Sequence, residues 1–316
     1  MNSNLKIHLL VNETAGNGRA KKILDRMVLL LIKEKITFDV KKSAFAGEAI
    51  RLAQTYADKQ HLNNEVLIII GGDGSLNEVL NGIKRSQNPL TPFAYLPAGT
   101  GNDFGRAANL PSDPQVLLDN IKQHVFSPTL TDYGSFRLPE ISEQTYYFAN
   151  SFGIGFDAYV NHLSNISNLK KLLNKLNEGK LIYGLHILSA LYKQDTFHVD
   201  LEANGKRWHY NDAFLVTTTN HPYLGGGIPL LPCAKIDSHK IDTVIVEKDS
   251  LKKLVKLFLD LLKDGSHLND PQFHYIEADK ITVITNQKEF AQVDGEQIKR
   301  QPFKLEFAVD QFRLYR

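Results

Sequence analysis

Val66-Leu67-Ile68-Ile69-Ile70, five consecutive aliphatic residues, run without a break into Gly71-Gly72-Asp73-Gly74, after which Leu76, Val79, Leu80 and Ile83 mark one face of a helix. A strand that is apolar on both faces must be covered on both. That is the situation of an inner strand in a parallel sheet flanked by helices. Neighbouring segments repeat the unit. "KIHLLVN" (6–12) leads through "ETAGNG" into an amphipathic segment carrying Ile23, Met27, Leu30 and Leu31; "FDVKKSAF" precedes a helix near 47–59; "PFAYLP" precedes "AGTGNDFGRAANL" and a helix near 114–123. Strands alternating with helices predict a doubly wound α/β sheet over residues 1–128.

The pattern changes at "FSPTLTDYGSF". Strands then dominate, in "TYYFANSF" (145–152), "FHVDLEANGKRWHYNDAFLVTTT" (197–219), "IDTVIVE" (241–247), "DKITVIT" (279–285), "EFAQVDGEQI" (289–298) and "FKLEFAV" (303–309). Asn204-Gly205 between apolar strands signals a hairpin, because a type I′ turn needs positive φ at both central residues. A second, mostly antiparallel β-sandwich domain is expected over 129–305, with helical inserts at about 160–193 and 251–262. The tail 306–316 has the option of returning to the first domain.

At 316 residues the chain can bury two cores. Its 37 basic and 35 acidic side chains leave a net charge of +2, which gives no general reason to expect a nucleic-acid partner. The single cysteine, Cys233, excludes an internal disulfide and a cysteine zinc cage, and fits a cytoplasmic protein. The eleven histidines show no helical H-x-x-x-H or His/Cys spacing that suggests zinc. "MNSNLKIHLLVN" has too short an apolar run for a signal peptide. The longest such run, "LIYGLHILSALY" at 181–192, falls short of the roughly 20 residues that cross a bilayer, so any membrane contact is peripheral.

The glycine turn after the aliphatic strand is neither G-x-x-x-x-G-K-[ST] nor G-x-G-x-x-G. It still sits at the carboxyl edge of a parallel sheet, where backbone N–H groups and a helix N-terminus attract anions. "AGTGNDFG" (98–105) repeats the arrangement with Asp103. Two phosphate-friendly turns that each carry an aspartate make sense if a divalent cation accompanies the phosphates, since Mg²⁺ prefers carboxylate, water and phosphate oxygens. Ser75 and Glu78 also match S-x-x-E, so part of the motif reads as a capping box.

The ordered set "VNETAGNGRA", "GGDGSLNEVLNG", "PAGTGNDFGRA", "TDYGSF…YYFANSFGIGFDAYV", "TTTNHPYLGGGIPLLPCAKID" and "QVDGEQI" resembles the diacylglycerol kinase catalytic family of soluble bacterial lipid kinases, related to the sphingosine and ceramide kinases. The resemblance runs along almost the whole chain. It implies an ATP site formed by Asn12, Glu13, Thr14, Ala15, Gly16, Ser43, Gly72, Asp73, Gly74, Ser75, Leu76, Asn77, Glu78 and Thr100. It implies a catalytic Mg²⁺ network of Asp73, Asp103 and Asp132. It also implies a general base in "VDGE", with Glu296 favoured and Asp294 helping to hold metal or base; from the residues alone, Asp294-Gly295 reads as a hairpin turn. A structural Mg²⁺ site is implied at Lys235, Ser238 and Lys240, where Ser238-His239 replaces the family's Asp-Gly and Asp237 lies one residue away.

The implied reaction is transfer of the γ-phosphoryl group of ATP to a lipid hydroxyl, with diacylglycerol giving phosphatidic acid as the default, at a membrane surface and with a homodimer as one possible assembly. Two alternatives stay open: phosphorylation of a soluble acceptor in the manner of NAD kinases, which share "GGDG" and a β-rich second domain, and a nucleotide-binding lipid sensor without turnover. "LKKLVKLFLDLL" places Leu251, Leu254, Val255, Phe258, Leu261 and Leu262 on one side and Lys252, Lys253 and Lys256 towards the other, a pattern that suits a core-packed helix or an interfacial one.

Overall fold

A computed structural model describes residues 5–59, 61, 64–124, 127–166 and 191–316. Its first half alternates β1 (Lys6–Val11), α1 (Ala15–Lys33), β2 (Thr37–Lys42), α2 (Glu48–Ala57), β3 (Glu65–Gly71), α3 (Asp73–Lys84), β4 (Phe93–Pro97), the short α4 (Asp103–Ala107) and α5 (Pro114–His124). The four strands are parallel in the order β2-β1-β3-β4. Alternation along β3 divides its side chains between two cores. Val66, Ile68 and Ile70 pack with Met27, Leu31, Leu117 and Ile121 of α1 and α5. Leu67 and Ile69 pack with Ala53, Leu76, Val79 and Leu80 of α2 and α3. The winding places all three glycine turns at the carboxyl ends of β1, β3 and β4.

The second half comprises β5 (Thr129–Leu138), β6 (Ser142–Phe148), β7 (Ser151–Gly155), α6 (Phe156–Ile166), β8 (Phe197–Ala203), β9 (Lys206–Thr219), β10 (Ile241–Glu247), α7 (Leu251–Lys263), a 3₁₀ turn (Ser266–Asn269), β11 (Phe273–Ala278), β12 (Lys280–Val293) and β13 (Glu296–Tyr315). Strands β12, β8, β9 and β7 hydrogen-bond in a closed antiparallel circuit. Phe152, Val199, Leu201, Val216, Val283 and Phe303 share the core that this circuit encloses. Asn204 and Gly205 take φ of 53° and 71° in the β8–β9 hairpin. β13 then runs back to the first half, where Leu314 and Tyr315 pair in parallel with Phe93 and Ala94.

Two expectations need correction. "TYYFANSF" is not one strand: β6 ends at Phe148 and β7 begins at Ser151, because the Ala149, Asn150 and Ser151 amides turn onto a carboxylate. Helix α7 buries Leu254, Leu257 and Leu261, while Leu251, Val255, Leu259 and Leu262 are exposed, so its apolar residues form two faces instead of one. The helical insert expected over 160–193 is described only at its ends, and the run 181–190 lies outside the described residues. Among the described residues no helix is long and apolar enough to cross a membrane.

Candidate active site

The three turns interlock through glycines. Gly16, Asn17 and Gly18 are consecutive left-handed residues, with φ of 60°, 55° and 85°, so regular helix in α1 starts only after them. A β-carbon on Gly16 would lie 2.1 Å from the Ala98 carbonyl oxygen, and one on Gly99 would lie 2.5 Å from Gly72 Cα. Asn12 Oδ1 accepts from the Thr14 amide at 3.2 Å and its hydroxyl at 2.7 Å. Glu13 pairs with Lys42 at 3.1 Å. Ser43 follows β2 and donates its amide to the Val11 carbonyl at 2.9 Å, placing it beside the first turn. Ala15 is half-buried, and Gly74 and Thr100 are exposed.

The residues of α3 divide by role. Gly72 is the N-cap, with no side-chain cap, so Ser75 lies inside the helix and the capping box does not form. Glu78 instead accepts from the Gly47 and Ala49 amides at 2.8 and 3.1 Å, capping α2 with both carboxylate oxygens. Leu76 is fully buried in the core, leaving only its backbone to face a ligand. Asp73, Asn77 and Asn81 recur every fourth residue and so share one face.

Asp73 Oδ2 accepts the Asn102 amide at 2.7 Å. Its buried Oδ1 has no hydrogen-bond partner. Burial and the nearby Asp103 carboxylate raise the Asp73 pKa above its ordinary value, against the pull of the Asn102 and Phe104 amides and the Asn150 side chain. A buried, unpartnered carboxylate oxygen beside a second carboxylate is a fit for a hard divalent cation. Asp103 itself is more committed: Oδ1 pairs with Arg106 and Oδ2 accepts the Gly226 amide at 2.7 Å. Arg106 lies over the Tyr223 ring, 5.1 Å from its centroid, so the glycine run 225–227 is fastened to the carboxyl edge of the parallel sheet.

Asp132 has partners of its own. Its buried carboxylate accepts the His239 amide at 2.7 Å, the His239 ring at Nδ1 and Gln311 Nε2 at 2.8 Å. Among the described residues no hydrogen bond or ion pair joins it directly to Asp73 or Asp103. The implied structural metal site is a turn with hydrogen bonds of its own. The Lys235 carbonyl accepts the Ser238 amide at 3.1 Å, and the Ser238 hydroxyl is shared with the Lys240 backbone. His239 takes the left-handed turn position with φ 60°, and Asp237 is held by Arg316 at 2.8 and 3.0 Å. Each of the three implied donor oxygens thus already takes part in a hydrogen bond of this turn.

The Asp294-Gly295 turn meets α3 from the second half. Asp294 and Gly295 have φ of 48° and 88°, the hairpin geometry expected of Asp-Gly. Asp294 receives four donors: Asn77 Nδ2 and the Ala149 amide at 2.7 Å on Oδ2, and the Asn150 and Ser151 amides at 2.8 and 3.0 Å on Oδ1. Burial nevertheless pushes its pKa up to about 6. With both oxygens saturated, Asp294 is a latch and not a metal ligand. Glu296, two residues on, is exposed, and its side chain carries no hydrogen bond or ion pair among the described residues.

Sequence reasoning missed Asn150. Its amide N–H binds Asp294, its carbonyl accepts the Thr219 hydroxyl at 2.8 Å, and its side chain meets His221 and lies near enough to Asp73 to draw that carboxyl's pKa down. Burial depresses the His221 pKa to about 4, so the ring is neutral, accepting the Tyr223 amide at Nδ1 and facing Asn150 Oδ1 with Nε2 at 3.0 Å. A lone asparagine inside the apolar run "YYFANSFGIG" was the available signal.

Residues 6–130 match the diacylglycerol kinase catalytic domain, and residues 150–315 match the YegS C-terminal NAD kinase beta sandwich-like domain. The chain belongs to the diacylglycerol kinase catalytic family. Similar proteins include YtlR of Bacillus subtilis, provisionally named a lipid kinase, which is 32% identical over 94% of each chain. A diacylglycerol kinase of Staphylococcus saprophyticus is 31% identical over 92% of this chain and 88% of its own. Among solved structures, a diacylglycerol kinase from Bacillus anthracis superposes with a TM-score of 0.66 at 20% identity over 99% of this chain and 97% of its own. Yeast NADH kinase gives 0.52 at 11% identity over 98% of this chain and 83% of its own, a likeness of fold. Membership in a kinase family implies ATP as a substrate, and the two matched regions correspond to a two-domain architecture.

Proposed function

We propose that this chain transfers the γ-phosphoryl group of ATP to the hydroxyl of diacylglycerol, giving phosphatidic acid and ADP. The observation that carries the reading is the Asn77–Asp294 hydrogen bond, which holds the hairpin bearing Glu296 against α3 one helical turn, about 6 Å, from Asp73.

The N-terminus of α3 and the amides of the three turns cradle the phosphates, with the close Gly16–Ala98 and Gly72–Gly99 contacts keeping side chains out of their way. Asp73 would hold Mg²⁺ through its unpartnered Oδ1, with Asp103 adding charge beside it. The ion, when bound, neutralises charge developing on the phosphate oxygens. Glu296 takes the proton of the lipid hydroxyl as its oxygen attacks the γ-phosphorus; the new P–O bond forms while the bond to the β-phosphate oxygen breaks, and ADP leaves. An exposed carboxylate without partners is free to meet an acceptor presented from a membrane surface.

Purified protein, radiolabelled ATP, Mg²⁺ and diacylglycerol in mixed micelles test the reading, with parallel reactions containing total lipid extract or NAD. Label in phosphatidic acid, lost in Asp73→Ala, supports it. Label in another lipid changes the acceptor. Label confined to the NAD reaction overturns it.

A further inference from the structure

At the opposite end of the parallel sheet from the glycine turns, His8, His61 and Glu65 converge with no role in the site described above. His8 lies in mid-β1, Glu65 opens β3, and His61 stands in the α2–β3 connection, about 13 Å of strand away from Asn12 on the His8 side. His8 Nε2 and His61 Nδ1 lie 2.9 and 3.0 Å from the same atom, Glu65 Oε2. One ligand atom from each of the three residues lies within 4.8 Å of the others.

The far side of each ring fixes what points inward. His61 Nε2 lies 2.8 Å from the Tyr56 carbonyl, which can only accept, so that nitrogen carries the hydrogen. His8 Nδ1 lies 2.6 Å from Asp39 Oδ2, and a carboxylate likewise accepts. In their neutral forms both rings therefore aim lone pairs at a carboxylate oxygen. Three electron pairs facing one point repel unless protons or a cation lie between them. Lys6 Nζ, at 3.6 Å from Glu65 Oε2, is too far to hydrogen-bond and approaches the same oxygen from an exposed side chain. Imidazoles that hand their outer N–H to a carboxylate and to a backbone carbonyl have the arrangement that orients histidine ligands on metals.

We propose that His8, His61 and Glu65 bind a divalent cation of the zinc class, with Asp39 and the Tyr56 carbonyl orienting the two imidazoles. Tetrahedral zinc with bonds of about 2.0–2.1 Å sets its ligand atoms roughly 3.3 Å apart. The 2.9 and 3.0 Å separations from Glu65 Oε2 therefore need to open by a few tenths of an ångström, and the two imidazole nitrogens, within 4.8 Å of each other, need to settle at the same spacing. Side-chain exposures of 12, 16 and 17% leave room for water in the fourth position while the protein encloses the rest. Tyr56 stacks on His61 at 3.8 Å between centroids and meets His8 edge-on at 5.1 Å, restraining both rings. The cation would tie β1, β3 and the α2–β3 connection together. Histidine spacing hid this grouping, because its members are brought together by the parallel pairing of β1 and β3 and not by one helix.

Chelator-treated, tag-free protein titrated with Co²⁺ and Zn²⁺ in excess Mg²⁺ tests the proposal, since saturating Mg²⁺ keeps the active site from accounting for uptake. The expected result is one Co²⁺ per chain with tetrahedral visible bands, displaced by Zn²⁺, and a higher melting temperature of the wild-type protein with Zn²⁺. His61→Gln should weaken binding at least tenfold, and Asp39→Asn by about 10- to 100-fold through its effect on His8. Absence of stoichiometric uptake by the wild-type protein overturns the proposal, as does uptake undiminished in the His8→Gln/His61→Gln double variant. The first of these outcomes is read on the wild-type chain, so it overturns the proposal even where a variant fails to fold.

Discussion

Asn77 Nδ2 donates to Asp294 Oδ2 at 2.7 Å, joining the helix behind the glycine turn to a hairpin 217 residues further along the chain. Asp294 is surrounded by four N–H donors, so Asp294→Asn would set an NH₂ group against them. The expected cost is about 1–3 kcal/mol, the penalty for leaving buried donors unpaired. Urea denaturation should show that loss. Turnover should fall while ATP binding is kept, since no phosphate-facing group changes. Unchanged turnover would mean that the latch does not place the hairpin.

Glu296 has no partner to lose and is exposed, so Glu296→Gln should leave the melting temperature unchanged. If it is the base, kcat should fall by about 10²–10⁴-fold with little change in ATP affinity. Full activity in this variant would transfer the proton-accepting role to another group.

The first glycine turn separates strain from crowding. Gly16 and Gly18 both have positive φ, but a β-carbon meets the Ala98 carbonyl only at Gly16, with nothing within 4 Å at Gly18. Gly18→Ala should cost only the left-handed strain, about 1–2 kcal/mol, and keep ATP affinity. Gly16→Ala must also move the second turn, and should raise the KM for ATP at least tenfold. Equal effects of the two substitutions would deny that contact between the turns shapes the site.

Residues whose local sequence dictates their geometry were the ones legible in advance. The aliphatic run 66–70 required a sheet covered on both faces, and Asn204-Gly205 and Asp294-Gly295 required hairpins. What stayed hidden depends on partners distant in the chain. Glu78 looked like half of a capping box because Ser75 lies three residues before it, yet its carboxylate caps a different helix through Gly47 and Ala49. The partners of Asp132, His239 and Gln311, lie 107 and 179 residues further along the chain and could not be read from its own motif. Asn150 gained importance only when β6 and β7 were broken apart by Asp294.

Asp157 predicts a pH dependence. It is buried at the start of α6, with Oδ2 accepting from Gln292 at 3.0 Å and Oδ1 unpartnered, and burial pushes its pKa up to about 6. A raised folded-state pKa means that its stabilising contribution is complete below the unfolded value near 4 and is lost as pH rises through about 6. Asp157→Asn avoids burying the charge. It should therefore stabilise the fold by about 2–3 kcal/mol at pH 8, with the advantage shrinking towards zero near pH 4. Denaturant midpoints at the two pH values decide; a gap that does not change with pH would remove the charge-burial explanation.

Helix α7 makes the membrane approach testable. Leu251, Val255, Leu259 and Leu262 are 42, 38, 61 and 66% exposed, an apolar strip separate from the buried Leu254, Leu257 and Leu261. Lys252, Lys253, Lys256 and Lys263 belong to the same helix, with Lys253 and Lys256 paired to Asp249 and Asp260. Inserting a leucine side chain into an apolar phase is worth about 1.5–3 kcal/mol. If this strip enters the bilayer, Leu259→Glu/Leu262→Glu should lower binding to anionic vesicles at least tenfold, and turnover of vesicle-borne diacylglycerol with it. Its melting temperature and its activity on a short-chain, water-soluble diacylglycerol should be unchanged, because neither residue supports the core. Equal loss on both substrates would point to a disturbed fold, and unchanged vesicle binding would place the membrane contact elsewhere on the chain.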